Sequence, residues 1–103
     1  MILLTFQQLE AIHAVCREYH VTRLELFGSA TRADFDPQRS DVDVLVEFAP
    51  ETDLGPWMAR LWELQQRLES VLGRKVDLVM ARGLRNPYLI RSINQDRQVL
   101  YAA

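Results

Sequence analysis

Cysteine is almost absent from this 103-residue sequence, and the single Cys16 excludes an internal disulfide. One thiol fits a protein of a reducing compartment. Long hydrophobic runs are also missing. No stretch approaches the roughly 20 apolar residues of a membrane span, and the N-terminal run 1–4 is too short for the core of a signal peptide. These absences predict a soluble, cytoplasmic protein that makes no contact with a membrane.

An excess of basic charge is missing as well. Twelve Lys and Arg residues stand against fourteen Asp and Glu residues, which gives a net charge of -2 and a pI near 5.6. Proteins that bind long nucleic acid through its backbone need many cationic contacts to phosphates. The charge balance argues against that class and leaves room for a small phosphate-bearing ligand.

The chain is also short for more than one domain. With 103 residues, of which 49% are hydrophobic, it predicts a single domain over 1–103. A domain of this size buries one core but no deep cavity. Any substrate site should therefore be a shallow cleft that a partner or a larger substrate completes.

Hydrophobic periodicity predicts alternating helices and strands. Thr5 stands at an N-cap position with Gln8 three residues later, which is typical of a capping box. A mixed sheet of three or four strands flanked by helices, an α/β (α+β) fold, is the expected result. The predicted elements are, in order, a helix to about Tyr19, a strand over 23–27, a loop over 34–40, a strand over 41–48, a helix from Asp53 or Gly55 to Gly73, a strand over 76–80, a helix over roughly 88–94 and, as a fourth strand, residues 98–101.

The strand over 41–48 carries the most informative pattern. Valines at alternate positions occupy one face, so Asp41 and Asp43 point together to the other. Asp77 has the same parity in the following strand. Metal ions that neutralise triphosphate charge are held by clustered carboxylates and substrate phosphates. Asp41, Asp43 and Asp77 are therefore candidate Mg²⁺ ligands, and Asp77 is a candidate proton acceptor.

Each of these signals also has a simpler explanation. Acidic residues at strand starts commonly face water, and Gly28-Ser29 is an ordinary turn dipeptide. The dipeptide can also present backbone N–H groups and a hydroxyl to a phosphate. Apolar neighbours around the paired aspartates favour a central strand, where burial of two acidic side chains is unfavourable unless they have a function.

Other conspicuous residues predict no chemistry. His13 and His20 have no companions at metal-ligand spacing, and Cys16 lies on the apolar face of the first helix. Trp57 and Trp62 fall on a leucine-rich helix, which favours core packing.

The combined motifs resemble a known family. The run 26–32, with Gly28-Ser29 and Arg32, is followed by Ser40-Asp41-Val42-Asp43, and together they resemble the signature of the polymerase-beta nucleotidyltransferase superfamily. Its minimal branch, the MNT antitoxins paired with HEPN-domain toxins, is the most similar, because residues 73–79 and the tail from Pro87 also match. The resemblance covers nearly the whole chain.

The resemblance implies a fold, a site and a reaction. Asp41 and Asp43 would be the paired metal ligands, with Asp77 as the third carboxylate, while Gly28 and Ser29 would hold the triphosphate. A matching basic position makes Arg32 a phosphate contact, and a solvated arginine is the alternative. The implied activity is Mg²⁺-dependent transfer of AMP from ATP to a tyrosine of a HEPN toxin.

One spacing departs from the family pattern. The family commonly places ten residues between its Ser and its first Asp, whereas this chain has 41 − 29 − 1 = 11 between Ser29 and Asp41. A second hypothesis follows, in which the protein is a weak or inactive enzyme that neutralises its toxin by binding alone. Modification of a small molecule is a third, disfavoured by the absence of an extra substrate domain. Oligomeric state, homo- or hetero-oligomer, is left open.

Overall fold

A computed structural model describes residues 2–33, 35–36, 41–81 and 84–103. None of the helices within these ranges is long and apolar enough to cross a bilayer. The helices and strands are α1 (Phe6–Glu18), β1 (Val21–Phe27), β2 (Val42–Phe48), α2 (Ala59–Leu72), β3 (Val76–Met80), α3 (Pro87–Gln95) and β4 (Arg97–Ala102), with short 3₁₀ turns at Gly28–Thr31 and Pro56–Met58.

Helix α1 begins where the capping signal placed it. Gln8 donates its backbone N–H to Thr5 Oγ1 at 3.1 Å, and Thr5 donates its own to Gln8 Oε1 at 2.9 Å. This reciprocal pair satisfies two of the N–H groups that a helix start leaves without intrahelical partners. Ile12, Val15 and Cys16 are buried on the inner face.

Helix α2 begins later than predicted. The expected start at Asp53 or Gly55 is wrong, because Trp57 (φ 56°) and Met58 (φ 57°) adopt left-handed backbone that a right-handed helix cannot include. The expected core role of the tryptophans is also wrong, since Trp57 is 94% exposed and Trp62 61% exposed. The buried stripe of α2 consists of leucines spaced by four: Leu64, Leu68 and Leu72.

The four strands form one mixed sheet in the order β3-β2-β1-β4. Strand β1 runs antiparallel to both of its neighbours, and β2 and β3 are parallel. This confirms the predicted mixed sheet and makes the terminal strand its fourth member. The two faces of this sheet pack against different parts of the chain.

One sheet face forms the main core, and the other carries a smaller apolar cluster. Alternate valines of β2, Val42 and Val44 among them, are buried with residues of α1 and α2. On the opposite face, Phe27 and Leu45 pack with Ile93 of α3. Because α3 covers only part of this second face, polar side chains occupy the rest of it.

The second face also carries a buried ionic group, Glu25. It is only 2% exposed, and Arg23 Nε donates to its Oε1 at 2.7 Å. Arg97 donates to Oε2 through Nη2 at 2.6 Å and through Nε at 2.9 Å. These bonds tie β4 to β1 across the sheet. Burial alone would raise the pKa of Glu25, but the two arginines together lower it.

Glu25→Gln is expected to destabilise the protein by about 1–3 kcal/mol near pH 7, because two guanidinium groups lose their anion. A lowered pKa stabilises the fold above the ordinary value of 4.5, and that contribution disappears as the pH falls through the folded pKa. The difference between wild type and variant should therefore shrink below about pH 4.5. Urea unfolding at several pH values measures it.

Glu18→Gln is the matched control, since it removes an ion pair to Arg67 of 3.0 Å in which both side chains are about half exposed. Exposed pairs contribute at most about 1 kcal/mol. Equal losses for the two variants would contradict a special role for Glu25.

Candidate active site

Three aspartates meet at one end of the second sheet face. Asp43 of β2 and Asp77 of β3 are register partners in the parallel pair, and adjacent strands lie about 4.8 Å apart. Asp41 directly precedes β2, where Val42 donates its N–H to the carbonyl of Lys75 at 3.0 Å and continues the pairing. The shared parity predicted for the three carboxylates is therefore what the sheet register produces.

The Gly28 turn (Gly28–Thr31) closes this end of the sheet. It follows β1 directly, and Phe27, the last residue of β1, is the register partner of Asp43. The backbone N–H of Arg32 bonds the carbonyl of Ser29 at 3.0 Å, and Thr31 Oγ1 donates to the carbonyl of Gly28 at 2.8 Å. The turn thus begins against the Asp43 carboxylate, and its second residue, Ser29, is half-buried.

Gly28 does more than turn the chain. Its φ is +67°, and a Cβ at this position would lie 2.7 Å from Asp43 Oδ2. Real Cβ atoms do not approach a carboxylate oxygen so closely, and L residues avoid this backbone region. Glycine at position 28 therefore lets the backbone touch the Asp43 carboxylate, which a plain turn would not require.

Like charges surround Asp43. Burial raises the pKa of the Asp43 carboxyl, and the charges of Asp77 and Asp41 raise it further, while the Arg32 guanidinium acts in the opposite direction. Negative charge that is partly removed from water and surrounded by more negative charge is unfavourable unless a cation joins it. This environment favours binding of a cation.

The donor set fits Mg²⁺. This ion prefers carboxylate oxygens, and proteins usually hold it through one or two carboxylates together with water and substrate phosphates. Within the described ranges, no group of three or more His, Cys, Asp or Glu side chains is arranged to hold a metal ion by itself. The adjacent Asp43 and Asp77 suit a metal that arrives with phosphate ligands better than they suit an all-protein cage.

Arg32 is exposed, and one of its partners is a residue that sequence reasoning missed. Its Nη1 lies 3.0 Å from Oδ2 of Asp96, between α3 and β4. Asp96 carries no local sequence signal, because it is an isolated acid 64 positions from Arg32. Glu25 bonds nearby Arg23, but its second partner, Arg97, is 72 positions away. The pairing of β4 with β1 brings Asp96 and Arg97 to this face.

The structure therefore places the six predicted site residues at one end of the molecule. Residues 34 and 37–40, part of the eleven-residue spacing between Ser29 and Asp41, lie outside the described ranges. A cavity of about 610 Å³ lies at the other end of β2, and its lining includes Val46, Phe48 and Met80 but none of the six. The carboxylates lie on the surface, where a large substrate can approach them.

The sequence is similar to known proteins over most of its length. A family model described as nucleotidyltransferase domain matches residues 9–100. A candidate protein adenylyltransferase of Methanocaldococcus jannaschii is 38% identical over 79 residues, which cover 77% of this chain and 76% of the relative. The protein adenylyltransferase MntA of Thermococcus cleftensis is 33% identical over 91 residues, covering 84% and 87%.

Solved structures share the fold. A candidate minimal nucleotidyltransferase superposes with a TM-score of 0.70 at 30% identity, covering 89% of this chain and 88% of its own. A chain of a toxin-antitoxin complex with AMP-PNP gives 0.67 at 28% identity, covering 92% and 73%. A chain from the complex of tri-AMPylated HEPN toxin with MNT antitoxin of Shewanella oneidensis gives 0.63 at 28%, covering 94% and 71%.

Proposed function

This chain belongs to the nucleotidyltransferase domain family, in its minimal branch, and from that premise we propose that it transfers AMP from ATP to a tyrosine of a HEPN-domain toxin. The observation that carries the proposal is the register pairing of Asp43 with Asp77 directly beside the Gly28 turn. Carboxylates for a metal and a turn for phosphates are thus neighbours. Silencing of the toxin would make the protein an antitoxin.

Each predicted residue has a role in this proposal. Asp41 and Asp43, with Asp77, would hold Mg²⁺ together with the phosphates of ATP, and the ion would supply charge neutralisation for the triphosphate and alignment of the reacting oxygens. Gly28 and Ser29 contact the phosphates through the backbone and the hydroxyl of the turn. Arg32 adds a cation next to the turn, where it would contact the β and γ phosphates of bound ATP.

The transfer would be a single displacement at the α-phosphorus of ATP. The phenolic oxygen of the acceptor tyrosine attacks the α-phosphorus of ATP, and the bond between that phosphorus and the oxygen of the leaving pyrophosphate breaks. Asp77 accepts the phenolic proton. Asp77 is exposed while Asp43 is half-buried. An acceptor from another protein can therefore reach Asp77 directly.

The open site suggests what the partner contributes. Water must be kept from the reacting phosphate, and an exposed carboxylate cluster cannot exclude water by itself. The acceptor protein would cover the site when it docks. The similar structures support a protein acceptor, because they include a toxin-antitoxin complex with AMP-PNP and an MNT antitoxin bound to a tri-AMPylated HEPN toxin.

Intact mass spectrometry tests the proposal. We would incubate the wild-type protein with a HEPN-domain toxin, ATP and Mg²⁺, and use Asp41→Asn/Asp43→Asn as the control. The expected result is a gain of one or more AMP masses by the partner, seen only with the wild-type protein and lost with EDTA.

A stable complex without any mass gain would overturn the transfer proposal. The binding-only alternative would then hold, and the eleven-residue spacing between Ser29 and Asp41 motivates it. Toxin neutralisation by the double variant at normal expression would point to the same alternative.

A further inference from the structure

Asp96 occupies a constrained position beside the site. It is the single residue between α3, which ends at Gln95, and β4, which begins at Arg97. Arg97 is the register partner of Phe27 in the antiparallel pair. Continuing that register places Asp96 beside Gly28. The Gly28 turn therefore has Asp43 on its β2 side and Asp96 on its β4 side.

The junction that carries Asp96 is fixed by the neighbouring residue. Arg97 makes two bonds to the buried carboxylate of Glu25, at 2.6 and 2.9 Å, and a longer one of 3.4 Å to Oδ1 of Asn94. An arginine held by a carboxylate that is itself buried has little freedom to move. The backbone at Asp96 is thus anchored from inside the sheet.

Arg32 meets Asp96 at the mouth of the site. Arg32 directly follows the Gly28 turn, and its Nη1 lies 3.0 Å from Asp96 Oδ2, with the two side chains 43% and 29% exposed. A guanidinium is planar and has five N–H donors, so the contact through Nη1 constrains the plane in which the group faces a phosphate. The ion pair therefore directs a cation toward the turn.

We propose that Asp96 is a positioning residue for nucleotide binding, which holds the Arg32 guanidinium beside the Gly28 turn so that it meets the triphosphate. The inference rests on the proposed function, since it assigns a role in the same site. An exposed ion pair of this kind contributes at most about 1 kcal/mol to folding. Its main effect should therefore fall on nucleotide affinity.

Calorimetric titration with ATP and with AMP, each in Mg²⁺, tests the role. Asp96→Asn should raise the Kd for ATP about three- to tenfold, because Arg32 loses its orientation, and leave the Kd for AMP unchanged, because AMP lacks the β and γ phosphates. Asp96→Glu should restore part of the affinity. In transfer assays the KM for ATP should rise, with kcat within about twofold of wild type.

A double-mutant cycle separates positioning from a general structural effect. In an Arg32→Ala background, Asp96→Asn should cause no further loss of ATP affinity, because the residue it positions is already missing. Glu18→Gln, which breaks the exposed pair with Arg67 at the far end of α1, serves as the control with unchanged ATP affinity.

Three results would overturn the inference. Unchanged ATP binding by Asp96→Asn would overturn it. Tighter binding would also overturn it, because Asp96 would then compete with phosphate for Arg32. Equal losses in the wild-type and Arg32→Ala backgrounds would also do so. Failure of the wild-type protein to bind ATP would instead contradict the proposed function, so the two failures are distinguishable.

Discussion

Asp43→Asn is expected to lower the rate of AMP transfer by at least about a thousandfold while the protein stays folded. Metal binding stabilises a phosphoryl-transfer transition state by several kcal/mol, and each 1.36 kcal/mol corresponds to about tenfold in rate. Asparagine keeps the size of the side chain but removes the charge that holds the ion. The loss should persist at saturating ATP.

The same substitution is expected to stabilise the metal-free protein. Burial and the charges of Asp77 and Asp41 raise the pKa of Asp43 above its ordinary value of 3.8. The folded state then binds a proton more tightly than the unfolded state, so stability falls as the pH rises from about 3.8 through the raised pKa. Asp43→Asn escapes this loss and should be more stable than wild type near pH 7.

Thermal unfolding with and without Mg²⁺, together with the transfer assay, measures both effects. Mg²⁺ should raise the Tm of the wild type and leave that of Asp43→Asn nearly unchanged. Glu47→Gln is the matched control, because Glu47 lies on the same face of β2 and is exposed. It should retain transfer and the response to Mg²⁺. Wild-type transfer by Asp43→Asn would rule out Asp43 as a metal ligand.

Gly28→Ala is expected to reduce both stability and transfer. Left-handed backbone costs an L residue about 1–2 kcal/mol, and the new Cβ would lie 2.7 Å from Asp43 Oδ2, so the turn or the carboxylate must shift. A forced contact of this kind adds about 1–3 kcal/mol. Displacement of the turn by a fraction of an ångström should slow transfer by up to about a hundredfold.

Gly73→Ala isolates the effect of the contact. Gly73 has nearly the same φ, +68°, but a Cβ there would meet nothing within 4 Å. It should show only the backbone contribution, measured by urea unfolding, with transfer unchanged. In an Asp43→Ala background, Gly28→Ala should cost no more stability than Gly73→Ala. Identical losses for the two glycine variants in the wild-type background would mean that the Asp43 contact is unimportant.

Much of the fold could be predicted because its signals are local. The capping box joins Thr5 to Gln8, three residues later, so the geometry of one helical turn brings the two residues together, and the structure forms it. Alternation along 42–48 assigned Asp43 to the face opposite the valines because side chains in a strand alternate by covalent geometry. The parity of Asp77 followed in the same way and is confirmed by the register.

The sequence-based predictions were wrong where the backbone leaves the common regions of φ and ψ. The leucine stripe suggested an earlier start for α2, yet positive φ at Trp57 and Met58 ends the helical pattern and leaves Trp57 exposed. Helix periodicity carries no information on where a residue adopts left-handed backbone. His13 was similarly undetermined, and it bonds the carbonyl of Leu100 through Nε2 at 2.8 Å.

The sequence by itself determined the strands, the face on which Asp43 and Asp77 lie, and the family to which the chain belongs, because periodicity and motif are properties of neighbouring residues. Only the tertiary structure decided that Gly28 touches the Asp43 carboxylate and that Asp96 meets Arg32. The physical reason is that strand order and register join residues that are distant in the chain, such as Arg32 and Asp96 at 64 positions, and local periodicity does not encode which strands become neighbours.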